Sequence, residues 1–327
     1  MTNKIGVNSN SFSKNILRQI ARSASFNIFI ILFVMCAIMY IISPPFRSID
    51  NILSVTRAFS YIAIMAIGEC IVIITAGVDL SVGSTFGLAG VITALCMSIY
   101  NIPVLPSILV GLVVGALIGL LNGILIIKPK LPPFIATLGT LSMARGLAYI
   151  ITQGYPITKV PIEFLYLGQG YLLSIPVPVW CMFLLAVIFS VFLNKTVLGR
   201  RIYALGGNEV ATRISGINTD RIKLIVYTLC GVLAAFSGII TASKLGLGQP
   251  TAGNGYELDA VAAVIIGGAS LSGGQGTILG TILGAAIMGV LRNALVLLSV
   301  NAYWQQFIIG FVILFAVTAD QLRKNRK

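Results

Sequence analysis

The sequence predicts an all-α polytopic membrane protein of about ten transmembrane helices, with both termini in the cytoplasm. Three observations carry that expectation. The first is composition: 57% of the 327 residues are apolar and only 9% charged, with a mean hydropathy of +0.99. Soluble domains carry about 25% charge, and disordered chains are richer still in polar and charged residues. The second is a series of apolar runs long enough to cross a bilayer. The third is where the basic residues fall. Lys plus Arg is 22 against 9 Asp plus Glu, a net charge of +13. In a chain this apolar, the excess belongs in cytoplasmic loops beside anionic lipid rather than on nucleic acid.

The runs, in order, cover residues 26–42, 58–76, 82–100, 104–127, 134–152, 177–193, 222–242, 277–298 and 303–319. A tenth, 258–269, is short and rich in Ala and Gly, and reads as a short or re-entrant helix. With an inside N-terminus and ten crossings, four clusters of cations face the cytoplasm. These are Lys4, Lys14, Arg18 and Arg22; Lys128 and Lys130; Lys195, Arg200, Arg201, Arg213, Arg221 and Lys223; and Arg323, Lys324, Arg326 and Lys327. Together they make 16 of the 22 cations, as the positive-inside rule requires. Trp180 and Trp304 begin spans at the outer interface. The expected organisation is a cytoplasmic basic leader (1–25), a transmembrane body (26–319) whose first apolar run reads as a signal anchor and whose largest cytoplasmic connection is 194–221, and a basic cytoplasmic tail (320–327).

Two absences limit the chemistry. The chain has no histidine, the usual general base and commonest metal ligand. Its five cysteines (Cys36, Cys70, Cys96, Cys181, Cys230) show no metal or redox spacing, so no metal site is expected. Gly111, Gly115, Gly119 and Gly123 form one row at every fourth residue, and Gly276, Gly280 and Gly284 another. Each row is a flat helix face where a neighbouring backbone can approach closely: a packing stripe or, alternatively, a moving seam. Asp79 precedes a span followed by the first striped helix. Asp259 begins a span followed by the second, running the other way, which suggests an inverted repeat.

The charged residues near or inside spans are candidates for a translocation path or its mouth. Asp79, with Ser81, either caps the helix starting at Leu80-Ser81 or takes part in transport. Glu257 and Asp259 either cap the short segment or line the outer mouth. Glu69 and Arg145 lie at similar inferred depths and are expected to form an intramembrane pair. In the 194–221 connection, Asn208 is a plausible N-cap and Glu209 favours the helix dipole, while Ser215-Gly216 is a natural stop. The result is a short cytoplasmic helix spanning 208–216. Gly206-Gly207 and Gly216 would let the chain turn sharply at its ends. Such a helix is marginal alone, so either a partner covers it or it is a plain surface loop.

The stretch from Gly199 through Asn208 to Ile217 resembles the cytoplasmic coupling loop of ribose-type, monosaccharide permeases of bacterial ATP-binding cassette importers. The likeness continues in Gly77-Val78-Asp79-Leu80-Ser81-Val82-Gly83-Ser84, Pro133-Phe134-Ile135-Ala136-Thr137-Leu138 and Gln249-Pro250-Thr251-Ala252-Gly253. It extends through Gly255-Tyr256-Glu257-Leu258-Asp259 and Gly267-Gly268-Ala269-Ser270-Leu271-Ser272-Gly273-Gly274. It covers most of the chain from about Asn51 onward. The resemblance implies a transport subunit of the bacterial inner membrane, paired with a second copy or a related permease. A separate ATPase subunit would lie beneath it, binding ATP and Mg, and a periplasmic sugar-binding protein above. The coupling contact would then fall on Gly206, Gly207, Asn208, Glu209, Ala211, Thr212, Arg213 and Gly216. Glu69 departs from the family pattern, in which this position is usually uncharged.

The competing reading is an ion-coupled secondary transporter of a small polar solute, with Glu69 as the midplane carboxylate. A membrane enzyme is disfavoured by the missing histidine. Gly273-Gly274-Gln275-Gly276-Thr277 lacks the lysine of a phosphate-binding loop, so no cofactor is expected on this chain and ATP would be hydrolysed elsewhere.

Overall fold

The computed structural model describes residues 24–324. The expectations for most of the basic leader and for the last residues of the tail lie outside the described residues. Thirteen α-helices make up the described chain, joined by short turns and one small hairpin. In chain order, α1 is Ala24–Ile42, α2 Ile49–Ile74, α3 Val82–Ser98, α4 Val104–Ile127, α5 Pro133–Thr152, α6 Ile162–Gln169 and α7 Val177–Lys195. Then follow α8 Val197–Gly207, α9 Glu209–Ile214, α10 Thr219–Leu245, α11 Tyr256–Ile266, α12 Ile278–Leu297 and α13 Ala302–Lys324. The hairpin pairs β1 (Tyr171–Leu172) with β2 (Ile175–Pro176).

Among the described residues, six helices (α2, α4, α5, α7, α10 and α12) are long and apolar enough to cross a membrane. The chain is an all-α polytopic membrane protein. Each predicted run contains a helix, and local chemistry sets the boundaries. Prolines open α4, α5 and α7: Pro103, Pro132 and Pro176 stand at their N-caps, where a missing N–H costs nothing. Side-chain oxygens cap α2, α10 and α12. Ser48 accepts from Asn51 N at 3.2 Å, Asn218 from Arg221 N at 3.0 Å and Thr277 from Gly280 N at 3.1 Å.

α2 and α10 form the centre, and most of their apolar stretches are buried by other helices. α10 packs along α4, α3 and α2, whereas α4, α5 and α7 turn most of their surface outward. The first glycine row lies in the α4–α10 contact. A Cβ on Gly115 would collide with the Gly231 carbonyl and Ala235, and one on Gly119 with the Tyr227 carbonyl; Gly111 and Gly123 meet Ile239 and Leu224. The second row faces α11 and the chain after it: Gly280 meets the Gly267 carbonyl, Gly284 the Ala263 carbonyl, and Gly276 packs on Ile74 and Ala269. Gly276 precedes α12 rather than lying within it.

Two apolar segments differ from simple spans. The helix expected from Leu80-Ser81 starts instead at Val82, and residues 75–81 form no regular helix between α2 and α3. The 258–269 run is an 11-residue helix, followed by non-helical chain up to Thr277. At 1.5 Å per residue α11 is about 16 Å long, roughly half a hydrocarbon core. Gly274 N donates to the Ile74 carbonyl at 2.8 Å, so the segment following α11 ends where α2 ends.

If the α4–α10 seam is a close-packed contact, Gly115→Val should force the helices apart, at a cost of at least about 1–3 kcal/mol. Gly139 has nothing within 4 Å of its would-be Cβ, so Gly139→Val is the matched control. Thermal unfolding of both variants in detergent should show a lowered midpoint for the first and an unchanged one for the second.

Candidate functional site

Two regions carry the chemistry: a buried polar junction where α3 and α11 begin, and the face formed by α8 and α9. Both arise from breaks in helices. Non-helical backbone is tolerated at membrane depth only where protein satisfies its polar groups, so the partners of those breaks identify the junction.

Ahead of α3, Asp79 is 1% exposed and its carboxylate is ringed by donors. Oδ1 accepts from Ser81 N at 2.9 Å and Ser81 Oγ at 2.6 Å, and Asn122 Nδ2 of α4 reaches both carboxylate oxygens at 3.2 and 3.3 Å. Asn122 also donates to Ser81 Oγ at 2.8 Å, and its own Oδ1 accepts from Thr140 Oγ1 of α5 at 2.6 Å. The network therefore joins the break to α4 and α5. Asp79 caps by bonding two residues ahead, in an Asx-turn, and Ser81, the N-cap residue itself, makes no side-chain cap bond.

Glu69, fully buried in α2, accepts from Asp79 N at 3.1 Å, and Cys230 Sγ of α10 lies 3.8 Å from its other oxygen. Glu69 thus ties α2 to the same break. It does not meet Arg145. Among the described residues the ion pairs do not include these two, and the expected intramembrane pair is replaced by separate sets of partners. The reason is register. α2 starts at Ile49, nine residues earlier than the apolar run at 58, and Glu69 lies five residues from its end. Arg145 lies twelve residues into α5 from the same end of the bundle. The offset of seven residues is about 10 Å along the axes.

Arg145 instead clasps backbone. Its Nη1 donates to the carbonyls of Pro250 and Ala252, both at 2.7 Å, and Nη2 to that of Gly83 at 3.2 Å. The first two carbonyls belong to the turn before α11, and the third to the first turn of α3. The two helix N-termini therefore lie side by side. A Cβ on Gly83 would strike Glu257 and the Gly253 carbonyl, while Phe86 meets Tyr256 edge-to-face at 5.4 Å. From this junction α3 and α11 run in opposite directions. Asp259, 1% exposed in the first turn of α11, is matched by Arg292 of α12 at 2.6 Å. Each buried aspartate is thus answered from a glycine-striped helix, by Asn122 in one case and Arg292 in the other.

Asn122, Thr140 and Arg292 were not singled out from the sequence. A signal was present for two of them: Asn122 lies seven residues after Gly115, and Arg292 eight after Gly284, so each shares its stripe's face. Thr140 carries no such signal.

At the end of the bundle where α2 terminates, the 194–221 connection folds as two helices rather than one. Thr196 caps α8, accepting from Gly199 N at 3.0 Å. Ile202 and Leu205 are buried, and Tyr203 donates its hydroxyl to the Gly276 carbonyl at 2.8 Å. Burial, with a smaller contribution from Cys70, pushes the Tyr203 pKa up to about 12, so it remains a donor throughout the physiological range. Gly206 and Gly207 are the last turn of α8 rather than hinges with φ > 0; only Gly216 among the three has that geometry, at +79°. Gly206 is small because the Ile74 carbonyl and Gly274 N sit against it, whereas Gly207 has open space.

Asn208 then caps α9 through Oδ1, which accepts from Ala211 N at 2.9 Å, and Thr212 Oγ1 donates to the Asn208 carbonyl at 2.8 Å. Glu209 pairs with Lys223 of α10 at 2.8 Å and with Arg213 at 3.2 Å. These ion pairs and the buried Thr212 hold α9 against α10. On the outer face Val210 and Ile214 are 68% and 82% exposed, two apolar side chains that nothing in the chain covers among the described residues.

A helical membrane body with paired helix breaks and an ordered helix presented at one end suits a membrane permease. Comparison with known proteins makes this specific. Residues 51–317 match the family described as branched-chain amino acid transport system / permease component, and the chain belongs to that permease family. It is 46% identical over 303 residues to the ribose import permease protein of Haemophilus influenzae, covering 91% of this chain and 94% of the relative. The ribose import permease protein of Bacillus subtilis is 47% identical over 295 residues, covering 90% and 91%. The L-arabinose transport system permease protein of Escherichia coli is 37% identical over 300 residues, covering 92% and 90%. No solved structure matches the chain.

Because Glu69 and Arg145 have separate partners, Glu69→Gln and Arg145→Met should destabilise independently. A double-mutant cycle read by thermal unfolding should find them additive within about 0.5 kcal/mol. Arg145→Met should be the more severe, since it strands buried carbonyls at a cost of about 1–3 kcal/mol each.

Proposed function

We propose that this chain is the membrane-spanning permease subunit of an ATP-binding cassette importer for ribose or a closely related monosaccharide, in the bacterial inner membrane. The observation that carries the reading is near-full-length similarity to two ribose import permeases at 46% and 47% identity. The sugar assignment follows those relatives and the arabinose permease, within a family whose description mentions branched-chain amino acids. In this reading the chain crosses the membrane ten times with both ends in the cytoplasm, counting α11 and the chain after it as one crossing. The break at 75–81 with α3 and α4, and the break at 249–255 with α11 and α12, are the two halves of an inverted repeat, and their junction lies near the middle of the bilayer. Cations at Lys128, Lys130, Lys195, Arg200 and Arg201 put the α8–α9 end inside.

The partners follow. An ATPase subunit covers α9, where Val210 and Ile214 would anchor it, and supplies the ATP and Mg chemistry that this chain does not perform. A sugar-binding protein meets the opposite end, and a second permease copy or a relative completes the channel. ATPase closure reaches the membrane helices through α8, whose Gly206 and Tyr203 touch Ile74, just before the first break, and Gly274 and Gly276, in the non-helical segment that follows α11.

Two measurements test this. In proteoliposomes with the ATPase and binding protein, uptake should require ATP and survive an ionophore. Uptake without ATP that collapses with the ionophore would establish ion coupling instead. Separately, Val210→Asp combined with Ile214→Asp should leave membrane insertion and the unfolding midpoint unchanged, while ATPase co-eluting with tagged permease falls at least tenfold. Undiminished co-elution would remove α9 as the docking element.

A further inference from the structure

A cavity of about 500 Å³ lies between α9 and the helix core, and the transport reading gives it no role. Its walls come from four separate segments: residues 75–77 of the break before α3, the end of α4 with the α4–α5 turn, α9 and the first turns of α10 up to Tyr227. The rim is charged. Lys130, Lys223 and Arg213 share the lining with Glu209 and Asp220.

The two carboxylates are already answered. Glu209 takes Lys223 at 2.8 Å and Arg213 at 3.2 Å, and Asp220 lies 3.6 Å from Arg213. Lys130 makes no ion pair and no side-chain hydrogen bond among the described residues, so the rim's surplus charge is its ammonium. Its backbone is held at φ +58° between Pro129 and Pro132, and in the same lining Ala76 is held at φ +61°. Left-handed backbone at residues other than glycine is uncommon, and tends to collect at ligand clamps. Ile126, Leu131 and the buried Tyr227 ring supply an apolar part of the lining beside these charges.

A charged rim with one uncompensated cation and an apolar part of the lining, in a cavity of this volume, suits a small anion carrying an organic body. A phosphate group can meet the Lys130 ammonium as a point charge, since Arg213 in the same lining is already paired with Glu209 and Asp220. We propose that this cavity binds a small phosphate ester, from a soluble metabolite or a lipid headgroup, and that the bound ester braces α9 against the core and slows ATP-driven uptake. The braking effect rests on α9 being the ATPase-docking element, whereas the binding does not. Binding and α9 position are reciprocally linked, because α9 is one wall of the site.

The experiment is a thermal-unfolding assay on the full chain, without ATPase or binding protein. In neutral detergent the probes are ribose 5-phosphate, inorganic phosphate and free ribose. In nanodiscs they are phosphatidylcholine alone and phosphatidylcholine with phosphatidic acid. The expected result is a midpoint raised by several degrees with a phosphate-bearing probe and not with free ribose. The rise is lost in Lys130→Gln and retained in Lys130→Arg. A rise with ribose 5-phosphate assigns a soluble ester, and a rise confined to phosphatidic acid assigns a lipid headgroup. No rise with any phosphate-bearing probe, or an equal rise in Lys130→Gln, overturns the proposal. In the assembled importer, the probe that binds should lower ATP-driven uptake several-fold in the parent and not in Lys130→Gln; equal inhibition of both overturns the braking role while leaving the transport assignment intact.

Discussion

The structure depends on one clasp: the Arg145 guanidinium holding three backbone carbonyls of two interrupted helices. An apolar body can bury side chains almost anywhere, but it cannot bury a bare carbonyl without loss. Where helices stop inside the body, something must replace the missing intrahelical donors. Arginine suits the task because its fork offers several donors in one plane and keeps its charge at any physiological pH. The small residues at Gly83 and Gly253 then let two chain segments close around it.

The same requirement is met differently on the other side of the junction. Around Asp79 the donors are neutral, from Ser81 and Asn122, while around Asp259 they come from Arg292. Both aspartates serve the start of a half-length or interrupted helix, and both are reached by a helix whose glycine stripe brings it close enough. Close approach of backbones and satisfaction of buried polar groups are therefore one design: the stripe sets the distance over which the polar side chain must act.

Most of the helices were legible in the sequence, because length and hydropathy alone decide whether a segment can lie in lipid. The Asn208 cap and the short helix after it were legible too, since capping depends on residues only three apart. The Glu69–Arg145 pairing was not. It relied on counting depth from the start of an apolar run, and α2 extends back to Ile49 through polar residues such as Asp50 and Asn51 that hydropathy excludes. The glycines at 206 and 207 were misjudged for a related reason. Sequence shows that a side chain is missing but not whether backbone conformation or a neighbour demands it. At Gly206 the demand comes from Ile74 and Gly274, more than sixty residues away in either direction. Val210 and Ile214 acquire meaning only once α9 is seen with Thr212 buried on its inward side.

The connection between α7 and α10 is partitioned by Thr196, Asn208 and Asn218, each closing its own helix start through a side-chain oxygen. None of the three boundaries needs a distant residue to define it. A stretch punctuated in this way behaves as a cassette: its outward face can diverge while its fold stays fixed. On the docking role proposed for α9, partner choice would drift through its few outward positions without disturbing the membrane body, and exchange of this cassette between relatives would re-pair a permease with a different motor.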